Sequence, residues 1–283
     1  MCQTCHSSLD YSFHDIAQNR NPHVQDIVLV ETPDTTPPVP LSATINYGTG
    51  YLMFNTSEII DVTPTTKLQL ANLAIRNDST IVVTRPRLNG FVTSDVENLM
   101  DATITAYDDV RTIVRLTELQ RVHAIAFSST RGGDGASAAW LILEIGAIVD
   151  VATNVNPSRY SLLLVEEDDI IPPNLLGATI NYGSGILVIT TDEIIDVTPY
   201  KTQVNLIKFY INSIQGSELS DNNVGGNGVY VSTDLNAAVV DESDGQSLTI
   251  QLTELQRVKS QLTSGTPGGD GGVNFLDVAQ GGF

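Results

Sequence analysis

From Leu41 to Tyr47 apolar and polar residues alternate, Gly48-Thr49-Gly50 interrupts them, and Tyr51 to Ile60 is largely apolar and β-prone up to Pro64. Alternation puts one face of a strand in a core and the other in solvent, and a glycine break between two such runs marks a hairpin. The pattern continues in short pieces: Lys67 to Ile75, Ile81 to Thr84, Thr103 to Ala106, Thr112 to Leu116, Trp140 to Ile148 and Ser161 to Val165. Short strands with turn signals between them, and no strand-helix-strand spacing, predict an all-β chain of antiparallel sandwich type. LTELQRVHAI (116–125) reads as one short helical turn, and Trp140 as core rather than a ligand platform.

The pattern also repeats. ATINYGTG (43–50) returns as ATINYGSG (178–185), and EIIDVTP (58–64) returns unchanged at 193–199 with the same offset. LTELQRV (116–122) recurs at 252–258 and GGDG (132–135) at 268–271, both with an offset larger by one, so a single insertion separates the two sets. Toward the N-terminus DIAQNRN (15–21) matches DVATNVN (150–156), and LVET (29–32) matches LVEE (164–167), again with the first offset. A fixed period of this kind predicts a stack of similar units. Residues 1–35 are read as the last strands of a preceding repeat, 36–170 as one repeat, and 171–283 as a second that stops at Phe283 without its D-x-A-x-N segment and final strand.

PPVPLSATINYGTGYLMFNTSEIIDVTP, the GGDG turn and DVATN together resemble the immunoglobulin-like repeats of large bacterial and algal cell-surface proteins, including swimming-associated and adhesin-like ones. That resemblance implies tandem immunoglobulin-like antiparallel β-sandwiches, an extracellular or cell-surface location, frequent stiffening by calcium, and service as stalk, filament or adhesin. It implies an architecture and no reaction.

Composition narrows the functions. Thirty-three Asp and Glu against 14 Lys and Arg give a net charge of −19, which repels nucleic-acid phosphates and anionic lipid headgroups. No apolar run reaches the ~20 residues of a membrane span, and residues 1–30 lack the basic start and continuous apolar stretch of a secretion signal. Asn55-Thr56-Ser57 and Asn77-Asp78-Ser79 are acceptor triplets for N-glycosylation. No G-x-S-x-G elbow, Walker loop, H-E-x-x-H or EF-hand loop occurs, so the chain is expected not to be an enzyme, and GGDG is expected to be a turn.

In an immunoglobulin-like sandwich three acidic segments should meet where one repeat enters the next: Glu31 and Asp34, then Glu58 and Asp61, then Asp150 and Asn154. The second junction offers Glu166, Glu167, Asp168, Asp169, Glu193 and Asp196, and Asp15 with Asn19 belong to the D-x-A-x-N segment before the first repeat. Carboxylate and amide oxygens without Lys or Arg beside them suit calcium; Asp and Asn also cap turns without any ion. Both readings stand at this point.

Cys2, Cys5 and His6 spell C-x-x-C-H, the attachment sequence of c-type haem, yet in the repeat register they fall where a packed strand would run. A local or intermolecular disulfide and free thiols compete with haem there. The run Val24 to Glu31, with Ile27, Val28, Leu29 and Val30 apolar on both faces, is read either as a donated strand that joins copies head to tail or, if the sequence is a piece of a longer array with its missing strand encoded downstream, as an ordinary strand of the preceding repeat. The leading expectation is therefore a homopolymeric structural protein. Its competitors are an adhesin segment that grips a glycan or surface, and a single-haem electron carrier.

Overall fold

A computed structural model of the chain describes residues 15–20, 27–78, 96–105, 107–133, 137–213, 232–241, 243–269 and 271–282. Its residues fall into two units, Met1–Thr36 and Pro37–Phe283. The chain is mostly β, as the alternation predicts.

In the second unit, strands β1 (Pro40–Asn46) and β2 (Tyr51–Ile60) form the expected hairpin, paired from Asn46↔Tyr51 to Pro40↔Thr56. Gly50 closes the turn at φ +69, a backbone region that other residues enter at a cost. Beyond cis Pro64 the chain makes two 3-10 turns, Thr65–Lys67 and Leu70–Asn72, before β3 (Leu73–Arg76). Most of the run expected as one strand from Lys67 to Ile75 is therefore turn. Then follow β4 (Val96–Asn98), β5 (Thr103–Ile104), β6 (Asp109–Arg115), helix α1 (Glu118–Ala126), β7 (Trp140–Leu143) and β8 (Tyr160–Glu167). The expected strand at Ile81 to Thr84 lies outside the described residues.

Helix α1 is longer than the single turn expected. Thr117 and Gln120 build a capping box: the Gln120 backbone N–H donates to Thr117 Oγ1 at 3.3 Å, and the Thr117 N–H donates to Gln120 Oε1 at 2.9 Å. The signal T-x-x-Q satisfies two amides that would otherwise lack partners, and a β-dominated pattern obscured it. Gln120 Nε2 also donates to the Asn98 carbonyl at 2.9 Å, tying the helix to β4.

The first eight strands are hydrogen-bonded in the order β4-β3-β7-β8-β1-β2-β6-β5. Strand β8 is the joint. Tyr160–Leu163 pair antiparallel with Trp140–Leu143, whereas Leu164–Glu167 pair parallel with Ala43–Asn46. Inward residues from both sides share one buried cluster, including Ala43, Ile45, Leu52, Phe54 and Val114 from one set of strands and Leu73, Ile75, Leu141 and Leu143 from the other. Trp140 packs on β7 but is only half buried, so it is not part of the innermost core.

The succession then recurs: β9 (Leu175–Asn181), β10 (Ile186–Ile195), the short helix α2 (Tyr200–Gln203), β11 (Phe209–Asn212), β12 (Ser232–Asp234), β13 (Val239–Val240), β14 (Gly245–Gln251), helix α3 (Glu254–Leu262) and β15 (Phe275–Val278). A 3-10 turn, Leu206–Lys208, precedes β11, as Leu70–Asn72 precedes β3. Pro199 is cis like Pro64, and Thr253 with Gln256 rebuilds the capping box. These strands lie in two separate sheets, β13-β14-β10-β9 and β12-β11-β15, over their own buried cluster. The first two glycines of each GGDG behave as turn residues. Gly132 and Gly268 have φ +91 and +95, and a Cβ on Gly133 or Gly269 would sit 2.1 Å from the carbonyl oxygen of Ser128 or Ser264.

The first unit is described at residues 15–20 and 27–36. Asp15 to Asn19 form a closed loop, and Ile27 to Val30 lie outside any strand and are exposed (70%, 88%, 77% and 97%).

Candidate functional site

Several of the acidic residues have protein partners of their own. Asp150 closes its own loop: the Asn154 backbone N–H and Nδ2 donate to its two oxygens at 2.7 and 2.8 Å, and Thr153 takes φ +74. Asp15 does the same with Asn19, at 2.9 Å for both bonds, with Gln18 at φ +67. The D-x-x-x-N segments therefore fold alike in the two units. The bonds from Asn19 hold the Asp15 carboxyl below the usual carboxylate range.

Asp61 is buried, accepts from the Thr63 N–H at 3.0 Å and pairs with Lys67, which lowers its pKa. Its counterpart Asp196 accepts the same bond from the Thr198 N–H, with Gln203 Nε2 in the place of Lys67. Glu31 and Asp168 are exposed, Asp34 accepts from the Thr36 N–H at 2.9 Å, and Glu167 accepts from Asn46 Nδ2. Glu166 is saturated by the Tyr47 hydroxyl, the Ser129 N–H and hydroxyl, and the Ala139 N–H, all between 2.7 and 3.0 Å. Burial first, and then the Glu166 charge, push the Tyr47 hydroxyl pKa up. Glu58 and Asp150 bring carboxylate oxygens within 4.8 Å of one another. Two like charges are thus held close together, where a cation would relieve repulsion.

Around Asp169 and Glu193 the sequence pattern predicted no basic residue, and the structure places one. Arg121 of α1 reaches across the junction, donating to both Glu118 oxygens at 2.7 and 2.8 Å, to the Tyr47 carbonyl at 3.0 Å and to Asp169, with Glu193 3.5 Å away. Glu118 also accepts from the Ile194 N–H at 2.8 Å. The Arg121 side chain is 7% exposed. Burial by itself would lower its pKa; hydrogen bonds and charge from Glu118, Asp169 and Glu193 outweigh that and hold it above the ordinary value. Burial pushes the Glu193 carboxyl up, against the pull of Arg121. This group was not legible in the sequence, because Arg121 lies far along the chain from both Asp169 and Glu193. The signal that was available is the recurrence of Arg in both LTELQRV copies.

The second set of strands differs at one edge. β9 pairs with β10 on one edge and β15 with β11 on one edge; among the described residues no strand lies between them where β8 lies between β1 and β7. The consequence shows in burial. Ala43 and Ile45 on β1 are 1% and 0% exposed, whereas Ala178 is exposed and Ile180 half buried on β9. Leu141, Ile142 and Leu143 of β7 are fully buried, whereas every residue of β15 is half buried. Asn274 Nδ2 donates to the Tyr182 hydroxyl at 2.7 Å, a position that Glu166 of β8 occupies on Tyr47.

Within β8 only one face is covered. Leu164 is 2% exposed and Leu162 packs on the core, while Leu163 and Val165 are 53% and 64% exposed. In the repeat register Leu29 and Ile27 match the inward pair, and Val28 and Val30 the outward pair. The run that looked apolar for two buried faces thus needs only one. Val24, Cys2, Cys5 and His6 lie outside the described residues. No helix among the described residues is long and apolar enough to cross a membrane.

No protein-family model matches the chain, and no curated protein is significantly similar to it.

Proposed function

We propose that the chain is a structural segment of an extracellular or cell-surface array: tandem immunoglobulin-like sandwiches that join copies head to tail by strand donation, with no catalytic role. The observation that carries this reading is the seam between β9 and β15 at the place that β8 fills in the preceding strands. Two edges without a partner strand among the described residues, carrying half-buried Ile180, Leu276 and Val278, present hydrogen-bonding groups and apolar surface together. Such an edge recruits a strand.

The occupant proposed is Ile27 to Glu31 of a second copy. These residues match β8 in sequence, follow a D-x-x-x-N loop of the same geometry, and expose four consecutive apolar side chains. With Ile27 and Leu29 inward, burial would contribute about 1.5–3 kcal/mol for each side chain. Donor and seam are different surfaces of the chain, so the contact is heterologous and propagates instead of closing.

Sedimentation of the full chain over a range of concentrations tests this, with and without a synthetic peptide of residues 15–33. Association that grows with concentration and is capped by the peptide is expected, and Leu29→Asp should abolish it. A chain that stays monomeric and leaves the peptide unbound would overturn the reading.

A further inference from the structure

The junction around Arg121 has an unfinished twin. Arg257 on α3 stands in the same place in LTELQRV, donates to Glu254 at 2.8 and 2.5 Å and to the Tyr182 carbonyl at 2.7 Å, and so repeats the bonds of Arg121 to Glu118 and Tyr47. Its stem lies over Gly185 as that of Arg121 lies over Gly50. Where Arg121 goes on to meet two further carboxylates, Arg257 meets a side-chain amide, Gln261 Oε1, at 3.4 Å. Glu254 is 74% exposed where Glu118 is 21%, and Arg257 is 24% exposed where Arg121 is 7%.

The acids that complete the Arg121 group come from the segment after β8 and from β10. Asp169 is oriented by the Ile171 N–H, which donates to it at 3.0 Å, and Glu193 belongs to EIIDVTP. Counting back by one repeat gives Asp34 and Glu58. Asp34 is held in the same way, by the N–H of Thr36, at 2.9 Å.

We propose that Arg257 and Glu254 form the receiving half of a charge clamp for a second copy of this chain, whose Asp34 enters it as Asp169 enters the group around Arg121. The proposal rests on the head-to-tail reading and adds to it. The donated strand provides the apolar and backbone pairing, and the clamp fixes how the next sandwich sits on α3. A guanidinium with fixed, planar donors suits that task, because it can serve Glu254 along one edge and an incoming carboxylate along the other. The clamp also gives the junction its selectivity, since a segment with the apolar strand and no acid at the position of Asp34 would cover Arg257 without adding a carboxylate to Glu254.

Three full-length variants test the clamp by sedimentation at matched concentrations in EDTA: Arg257→Glu, Asp34→Arg, and both together. Each single variant should weaken end-to-end association about tenfold, as expected for an interfacial charge pair whose partner is reversed, and the double variant should recover most of the loss. Asp34→Arg alters an exposed segment, so its effect cannot be ascribed to misfolding of α3. If Arg257→Glu associates like the parent, or the double variant is no better than the singles, the clamp is wrong. Binding of the peptide of residues 15–33 separates the two ideas: its persistence with an inert Arg257 leaves strand donation standing and removes the clamp, while its failure with the parent chain removes both.

Discussion

Residues 40–167 and 175–278 run through the same succession of strands, turns and capped helix, yet one set is a single hydrogen-bonded sheet and the other is two. The difference is one strand. β8 pairs with β7 through its first half and with β1 through its second, and with it in place Ala43, Ile45, Leu141 and Leu143 are shut from solvent. Without an equivalent among the described residues, Ala178 is exposed and Ile180 half buried, although ATIN is the same in β1 and β9; β15 is half buried throughout, and there the sequence differs as well, FLDV against WLIL. At Ala43 and Ile45 against Ala178 and Ile180, burial is therefore a property of the assembled edge and not of the residues that occupy it.

The largest effect is expected at Leu164. Leu164→Ala removes the inward anchor of β8 and should cost about 2–5 kcal/mol. The loss should appear in the first set of strands, which holds the chain's single tryptophan, Trp140, paired with Leu163. Urea unfolding followed by Trp140 fluorescence should move to lower denaturant; an unchanged midpoint would mean that β8 does not close the core.

A smaller effect is expected at the two arginines. Arg121→Ala leaves Glu118, Asp169 and Glu193, each only 17–21% exposed, facing one another without a cation. The expected cost is about 2 kcal/mol, below that of a fully buried pair because solvent reaches the carboxylates. Arg257→Ala in the monomer should cost far less, since Glu254 is mostly solvated. Equal shifts in thermal midpoint for the two variants would refute the distinction.

The smallest effect sharpens the comparison at a single position. Lys67 pairs with Asp61, and Gln203 meets Asp196 in the corresponding place. Lys67 first, by its hydrogen bond, lowers the folded pKa of Asp61 from its ordinary value of 3.8. A lowered carboxyl stabilises above the unfolded value and loses that contribution as pH falls through the folded one. Lys67→Gln should thus flatten the acid side of the stability profile below about pH 4, where an ordinary Asp begins to take up its proton. The change should be slight, because the Lys67 side chain is 42% exposed and solvent screens the pair. Comparing urea midpoints in neutral and in acid buffer would check it, and a profile identical to the parent would discount the pair.

Several features were legible without a structure. The hairpin at 40–60 follows from alternation around a glycine turn, and the D-x-x-x-N motif announced two loops that close alike. The helix over Glu118–Ala126 was half legible: its capping residues were visible, but so short a helix among strands has too few turns to show a clear period. The acidic site was the least legible. Acidic residues could be assigned to junctions by register, yet whether each ends beside another carboxylate, an amide, Lys67 or Arg121 depends on which distant segment packs over it.

By itself the sequence determined what depends on neighbours close along the chain: strand alternation, glycine turns, the capping boxes, the self-closed Asp–Asn loops, and the period at which all of them return. These are fixed by steric limits and short hydrogen bonds that any copy of the same peptide would form. Only the tertiary structure decided that β8 lies parallel to β1, with Ala43 opposite Leu164, and that Arg121 gathers Glu118, Asp169 and Glu193. Nearly all of those contacts join segments remote from one another along the chain, where the closing of the chain, and not its local preference, selects the partner.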